Sequence, residues 1–453
     1  MTRLKSLQPF LTFLFCCLGL LIFRTLFGLN NRFWDEDEKH IYLLGLELFS
    51  FHQWPYFGAD IIHTATQIPG ALQSFLVGLP LFLFKVPESP FVFVNLLSLL
   101  GLALFAIYLA KHYKRYHPLL ILLWLNGLPW TLEYGTHVYN PSYLLLPNFI
   151  FFIAFFECIP SMGKKIISFS KAFFLMGFSL GFILQIHLSW PILLPFLLLA
   201  LILHRPRLAE TIKAGSFFIV GMIIPCLLLF PTFYHLGWNS VLKMNSQNSE
   251  FNFQNVFYFF NNIVRLLCYA SYETFLFIGE NTEEKKEFLL KMKALIPFFF
   301  ILSSVTIFQL LYFPWSYFKM WKSNNTLANK NILLFLFTLI TASLIFVLST
   351  RPPVSRNLYL LLPLCLWLMF QTIDYWVGGK IWRMRVFKGL VFIALFYHGL
   401  MTYNRFLNYP QDSLYSNRDL VVKSLEERDP YIFEVPRYSK KLHREAGDQG
   451  TNQ

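Results

Sequence analysis

Long apolar runs broken by short polar stretches dominate this chain from its first residues to position 403. Runs of roughly 17 to 22 apolar residues recur, enough for a helix to cross a hydrocarbon core about 30 Å thick. They predict spans at 8–28, 91–110, 118–133, 142–160, 171–188, 189–204, 214–232, 294–314, 331–350, 357–373 and 386–403. The expected fold is an all-α, polytopic transmembrane bundle of about eleven spans, because only a helix satisfies its own backbone in lipid without closing a barrel. His40 to His52 is patterned differently. Ile41, Leu44 and Leu48 recur at helical spacing between polar residues, which predicts an amphipathic helix lying at the interface. Gln53-Trp54-Pro55-Tyr56-Phe57-Gly58 follows as an aromatic turn suited to headgroup level.

The run Ile68 to Val86 is ambiguous, being long enough to cross but interrupted by Pro69, Gly70, Gly78 and Pro80. Basic residues weigh the two readings. They cluster at 111–115, 164–165, 204–207, 319–322 and 380–388. If Ile68 to Val86 crosses, all five clusters face away from Arg3 and Lys5. If it dips in and returns, or lies along the interface, all of them share the cytoplasmic side with the N-terminus. The second arrangement is the expectation, since one assumption fixes five loops. It gives interfacial helices in a first external loop, 29–90, and a long external loop, 233–293. A transmembrane domain then occupies 1–403, with an external charged tail at 404–453, loosely held from Tyr415 onward.

Composition supports a multi-pass membrane protein and removes other classes. The chain is 56% hydrophobic, with 53 Phe and a mean hydropathy of +0.50, so it is not a soluble domain. Its net charge of +13 is spread in short clusters between apolar runs, which is topology rather than a nucleic-acid footprint. The six cysteines show no metal-knuckle spacing and read as buried thiols.

Against this background the row Asp35-Glu36-Asp37-Glu38 stands out, directly after the first span in a chain only 14% charged. Such a row can be a solvated cap. It can also supply a general base, or ligands for a divalent cation, at an external cavity. A second polar external turn, Glu133 to Pro141, offers His137, Tyr139 and Asn140 to a sugar or phosphate, although Asn-Pro is also ordinary turn chemistry. A third, Thr350 to Tyr359, carries Arg351 and Arg356 on the external side, against the positive-inside trend. A guanidinium fork suits a leaving phosphate; headgroup anchoring is the alternative. His63, Gln67, Lys85, Arg265, Gln185 and His187 are lesser candidates.

Taken in order, these features resemble the GT-C superfamily of membrane glycosyltransferases, in the branch holding protein O-mannosyltransferases and lipid A aminoarabinose transferases. Asp37-Glu38 ahead of Pro55-Tyr56-Phe57-Gly58 is similar to that family's acidic motif, with Asp35-Glu36 as a second register. Tyr139-Asn140-Pro141-Ser142 resembles its Trp-Asn-Pro turn. Arg356 to Pro363 resembles its Arg-Tyr-Leu-Leu-Pro stretch, with Asn357-Leu358 inserted. The likeness covers 30–160 and 350–365, and Gln67-Ile68-Pro69 stands where relatives often carry Lys-Pro-Pro.

The resemblance implies a polyprenyl-phosphate sugar donor entering from the bilayer. Asp37 or Asp35 would act as base, Glu36 and Glu38 would support it, and Arg356 and Arg351 would hold the donor phosphate. His137, Tyr139, Asn140, His63 and Gln67 would contact substrate. Transfer would invert the anomeric centre, on the periplasmic face of a bacterial inner membrane, to a glycan, lipid or protein acceptor. Some relatives use a divalent cation and others none. The rival reading is a transporter or flippase of lipid-linked glycans, which would place ionisable groups at mid-membrane.

Overall fold

The computed structural model describes residues 2–30, 34–61, 66–160, 165–237, 251–279, 281–323, 326–349, 352–408 and 413–433. His63 and Arg351 lie outside these residues. Among the described residues the regular structure is helical apart from one two-stranded ribbon, as the apolar pattern requires.

Helix α1 (Thr2–Leu29) leads to α2 (Glu36–Phe51), the ribbon β1 (Phe57–Ile61) and β2 (Thr66–Pro69), and α3 (Leu72–Leu83). Next come α4 (Ser89–His112), α5 (Pro118–Asn126), α6 (Pro129–Glu133), α7 (Leu145–Glu157), α8 (Phe169–Ile183), α9 (Leu194–His204), α10 (Leu208–Cys226) and α11 (Phe230–Leu236). The rest is α12 (Phe259–Cys268), α13 (Thr282–Lys291), α14 (Ile296–Lys322), α15 (Thr326–Val347), α16 (Leu362–Val377), α17 (Ile381–Asn408) and α18 (Arg418–Glu427).

Seven segments are long and apolar enough to cross a membrane: Leu11–Leu29, Ser89–His112, Leu208–Leu236, Lys293–Lys322, Thr326–Val347, Ser355–Val377 and Ile381–Asn408. This is a multi-pass membrane protein. The count falls short of the eleven runs in the sequence because four of them form shorter helices, three of them at prolines, while α8 ends at Ile183 without one. Pro118 and Pro129 open separate short helices, and Pro141 and Pro191 sit in 3₁₀ turns ahead of α7 and α9. The exposed side chains of α14 are mostly apolar, among them Phe300, Ile307 and Leu311, as a lipid-facing surface must be, with Lys319 and Lys322 at its C-terminal end.

Two ends of the bundle differ in charge. Lys111, Lys114, Arg115 and His117 gather at one, where Arg115 pairs with Asp374 at 3.2 Å and Lys165 meets His204 at 3.1 Å. The acidic row sits at the other end, past the C-terminus of α1.

The stretch between α1 and α4 is folded onto the bundle rather than laid flat beside it. Asp35 caps α2, its carboxylate accepting from the Glu38 amide at 3.1 Å, and three carboxylates in the first turn suit the helix dipole. Most of α2 is buried, including Ile41, Tyr42, Leu44 and Leu46, so its expected apolar stripe faces protein. Helix α3 has 12 residues, about 18 Å of rise, too little to cross. It packs tightly on α2 at Gly45 and Gly78, where a Cβ on either would strike the facing helix.

The tail also differs from expectation. Helix α17 continues to Asn408, and residues 413–433 dock on the acidic end. Trp34 Nε1 donates to Asn417 Oδ1 at 2.8 Å, Phe433 packs against Trp34 and Tyr42, and Arg418 pairs with Glu88 at 2.7 Å. Charge along 413–433 masked an apolar stripe of Leu414, Val421, Leu425 and Phe433, all buried.

Candidate functional site

Asp37 faces outward from the first turn of α2. Its carboxylate lies 3.4 Å from Arg356 Nη1, 319 residues away, and the same nitrogen donates to the Tyr139 hydroxyl at 3.0 Å. The three stretches singled out by sequence therefore meet at one point. Each is placed by ordinary local structure. The Asp35 cap orients the first turn of α2. An Asn140-Pro141 3₁₀ turn presents Tyr139. Arg356 stands in the short helical turn before α16, and that turn is tied down because Tyr269 donates its hydroxyl to the Ser355 carbonyl.

The cluster is half open, with the Asp37 and Arg356 side chains 27% and 41% exposed, so a substrate can reach it. Burial pushes the Tyr139 phenol up, and its oxygen already accepts from Arg356, which leaves its proton to donate. Asn140 Oδ1 alongside is buried with no partner among the described residues. His187 is buried close enough to feel the Arg356 charge.

Glu38 points the opposite way, into protein. It is buried 3.7 Å from His137 Nδ1, and His137 is buried too. The separation suggests an ion pair, but both groups favour their neutral forms. Burial, then the nearby carboxylates Asp35, Asp37 and Glu133, pushes Glu38 well up. Burial, then the cations Arg405 and Arg24, brings His137 down to about 3. We read the contact as neutral, since desolvation acts on both partners and 3.7 Å is too long for a hydrogen bond to offset it. Deeper still, Arg405 lies 3.5 Å from Glu133 and donates to the Phe277 carbonyl at 2.9 Å. Arg24 donates to Asn126 and to the carbonyls of Thr131 and Gly135.

The other candidates separate. Asp35 is occupied as a cap, which leaves Asp37 as the carboxylate that faces Arg356. Glu36 is exposed. Gln67 turns into the ribbon, donating to Asp60 at 2.7 Å beside His40. Gln185 donates to two backbone carbonyls, and Lys85 is exposed beyond α3. The four carboxylates of the row diverge toward a backbone amide, solvent, a guanidinium and the core, so they do not fit a shared divalent cation. Among the described residues no group of three or more His, Cys, Asp and Glu is placed to hold one.

Sequence reasoning underweighted an aromatic wall beside the cluster. The Tyr134 ring stacks on Trp130 at 5.2 Å, Arg265 lies over Trp130 at 5.2 Å, and Glu273 accepts from Trp130 Nε1 at 3.2 Å. It also passed over Arg24 and Arg405, although a charge inside an apolar span is itself a signal. A separate apolar cavity of about 300 Å³, lined by Phe308, Tyr312, Met369, Trp376 and Phe387, includes none of these residues.

No protein-family profile matches the chain, and no curated protein or solved structure is similar enough to match it.

Proposed function

We propose that this protein is an inverting glycosyltransferase. It would move a sugar from a polyprenyl-phosphate donor to a glycan, lipid or protein acceptor at the acidic end of the bundle. The observation that carries the reading is the meeting of Asp37, Tyr139 and Arg356, the residues its three GT-C-like motifs contribute. Asp37 takes the proton of an acceptor hydroxyl or amine as that group attacks the anomeric carbon from the face opposite the phosphate. Arg356 fixes the carboxylate, and the Tyr139 hydroxyl donates toward the sugar. A partly buried carboxylate held by one guanidinium and open on its other side suits a general base.

The same reading completes the topology. The short segments 118–133, 140–157, 169–183 and 190–204 run alternately between the two ends of the bundle. His117 lies with the basic cluster, Glu133 beside Arg405, Glu157 against the amides of Ile166 and Ile167, and His204 beside Lys165. With the seven long helices they give eleven traverses, an N-terminus at the basic, cytoplasmic end, and a periplasmic site in a bacterial inner membrane.

The buried charges Arg24, Glu133 and Arg405 favour a second reading, a transporter of lipid-linked glycans. One experiment separates the two. Purified protein is given a panel of polyprenyl-phosphate sugars with crude envelope lipids as acceptor, and wild type is compared with Asp37→Asn. Transfer by wild type that is lost in a folded Asp37→Asn supports the enzyme. Uptake of the donor into vesicles without transfer supports the transporter.

A further inference from the structure

In-line displacement sets a geometric condition that Arg356 meets poorly. The base and the cation that receives the leaving phosphate must stand on opposite sides of the sugar ring. Arg356 is committed to the base, 3.4 Å from the Asp37 carboxylate. A phosphate bound on the same guanidinium would sit against that carboxylate and meet its repulsion.

A second arginine is not tied to the base: its neighbouring carboxylate is Glu273, not Asp37. Arg265, on α12, reaches the aromatic wall with its guanidinium carbon 5.2 Å from the centroid of the Trp130 ring. Tyr134 stacks on Trp130 at 5.2 Å and meets the Tyr139 ring at 6.4 Å, so a row of aromatic rings links Arg265 to the hydroxyl that Arg356 holds. Arg265 is only 18% exposed, yet it forms no hydrogen bond among the described residues. Its nearest carboxylate oxygen, Glu273 Oε2, is 3.7 Å away, beyond hydrogen-bond reach, and is already engaged by Trp130 Nε1. A mostly buried guanidinium over an indole ring, with no hydrogen bond from its donors among the described residues, is pre-organised for an incoming anion.

We infer that Arg265, and not Arg356, receives the leaving phosphate, while Arg356 serves as a positioning residue for Asp37. The inference rests on the glycosyl-transfer reading. In the step, the acceptor oxygen or nitrogen bonds to the anomeric carbon as its proton passes to Asp37. The bond from the anomeric carbon to the phosphate oxygen breaks, and its electron pair leaves on the polyprenyl phosphate. The charge gained by that phosphate is met by Arg265. Glu273 holds the guanidinium in place when no donor is bound and yields it to the phosphate.

The product lipid is the probe, since it needs no knowledge of the sugar. Binding of a polyprenyl monophosphate, with the uncharged polyprenol as control, is measured on wild type, Arg265→Gln, Arg265→Lys, Arg356→Gln and Glu273→Gln. Arg265→Gln is expected to weaken phosphate-lipid binding roughly tenfold or more, leaving polyprenol binding unchanged. Arg265→Lys, which restores the charge, recovers part of the loss and shows that the fold is intact. Glu273→Gln binds more tightly than wild type, and Arg356→Gln binds as wild type does. In transfer assays Arg265→Gln lowers kcat about 100-fold, and donors with better leaving groups than phosphate restore it. The same donors do not restore Arg356→Gln, whose base is misplaced. If phosphate binding falls in Arg356→Gln and holds in Arg265→Gln, the assignment is overturned while the transferase reading stands. If wild type neither transfers nor prefers the phosphate lipid to polyprenol, both are overturned.

Discussion

Asp37 and Glu38 are neighbours in one helical turn, yet they occupy opposite electrostatic worlds. Asp37 looks into a half-open cleft and meets a guanidinium. Glu38 looks into the core and meets an imidazole that burial keeps neutral. One residue of rotation, about 100° on an α-helix, separates a carboxylate fit to accept a proton from a carboxylic acid that keeps its own. The acidic row is therefore not one feature with four copies. Asp35 is a cap, Asp37 a candidate base and Glu38 a packed neutral acid, and only their surroundings tell them apart.

This contrast can be broken at several points. The largest effect is expected from Asp37→Asn, which removes the proposed base; transfer rate should fall 10²- to 10⁴-fold with melting temperature little changed. Arg405→Met comes next in consequence, for stability rather than turnover. It leaves Glu133 buried without its cation and should cost about 3–5 kcal/mol, read by thermal unfolding in detergent.

Glu38→Gln tests neutrality directly. The raised Glu38 contributes stability that is present below its ordinary value of 4.5 and is lost as pH rises above it. Wild type should thus lose melting temperature faster than Glu38→Gln between pH 5 and 8, while turnover stays within a few-fold. His137 has the opposite sign. Its lowered value costs stability as pH falls from 6.5 toward about 3, because the unfolded chain takes up a proton that the folded one refuses. His137→Asn should flatten that acid limb. The smallest effect is expected from Asp35→Ala, about 1 kcal/mol for a lost helix cap, with transfer retained. Loss of transfer in Asp35→Ala alone, with Asp37→Asn active, would reverse the roles given to the two aspartates.

Much of the architecture was legible because the apolar period is long and the residues are extreme. Spans such as Ser89–His112 and Thr326–Val347 come directly from hydropathy. Segments 118–133 and 142–160 did not, since a proline breaks a helix without changing the mean apolarity around it. The docked tail was hidden for a related reason: one buried stripe among charges has little mean hydropathy. Asp37, Tyr139 and Arg356 were singled out as candidates through motif order, whereas their contact belongs to tertiary structure. The choice between Asp35 and Asp37 could not be read from the sequence either, because it depends on which carboxylate the helix uses as its cap.

The docking of 413–433 on Trp34 joins residues 383 positions apart, and Asp37 waits for an arginine 319 positions downstream. A ribosome adding roughly 5 to 20 residues per second needs on the order of tens of seconds to make that interval. Throughout it, the acidic turn has left the first helix with neither its guanidinium nor its clasp. The growing chain thus has no assembled cleft until Arg356 has been made, and a product truncated before 413 would still carry its apolar spans while leaving Trp34 uncovered.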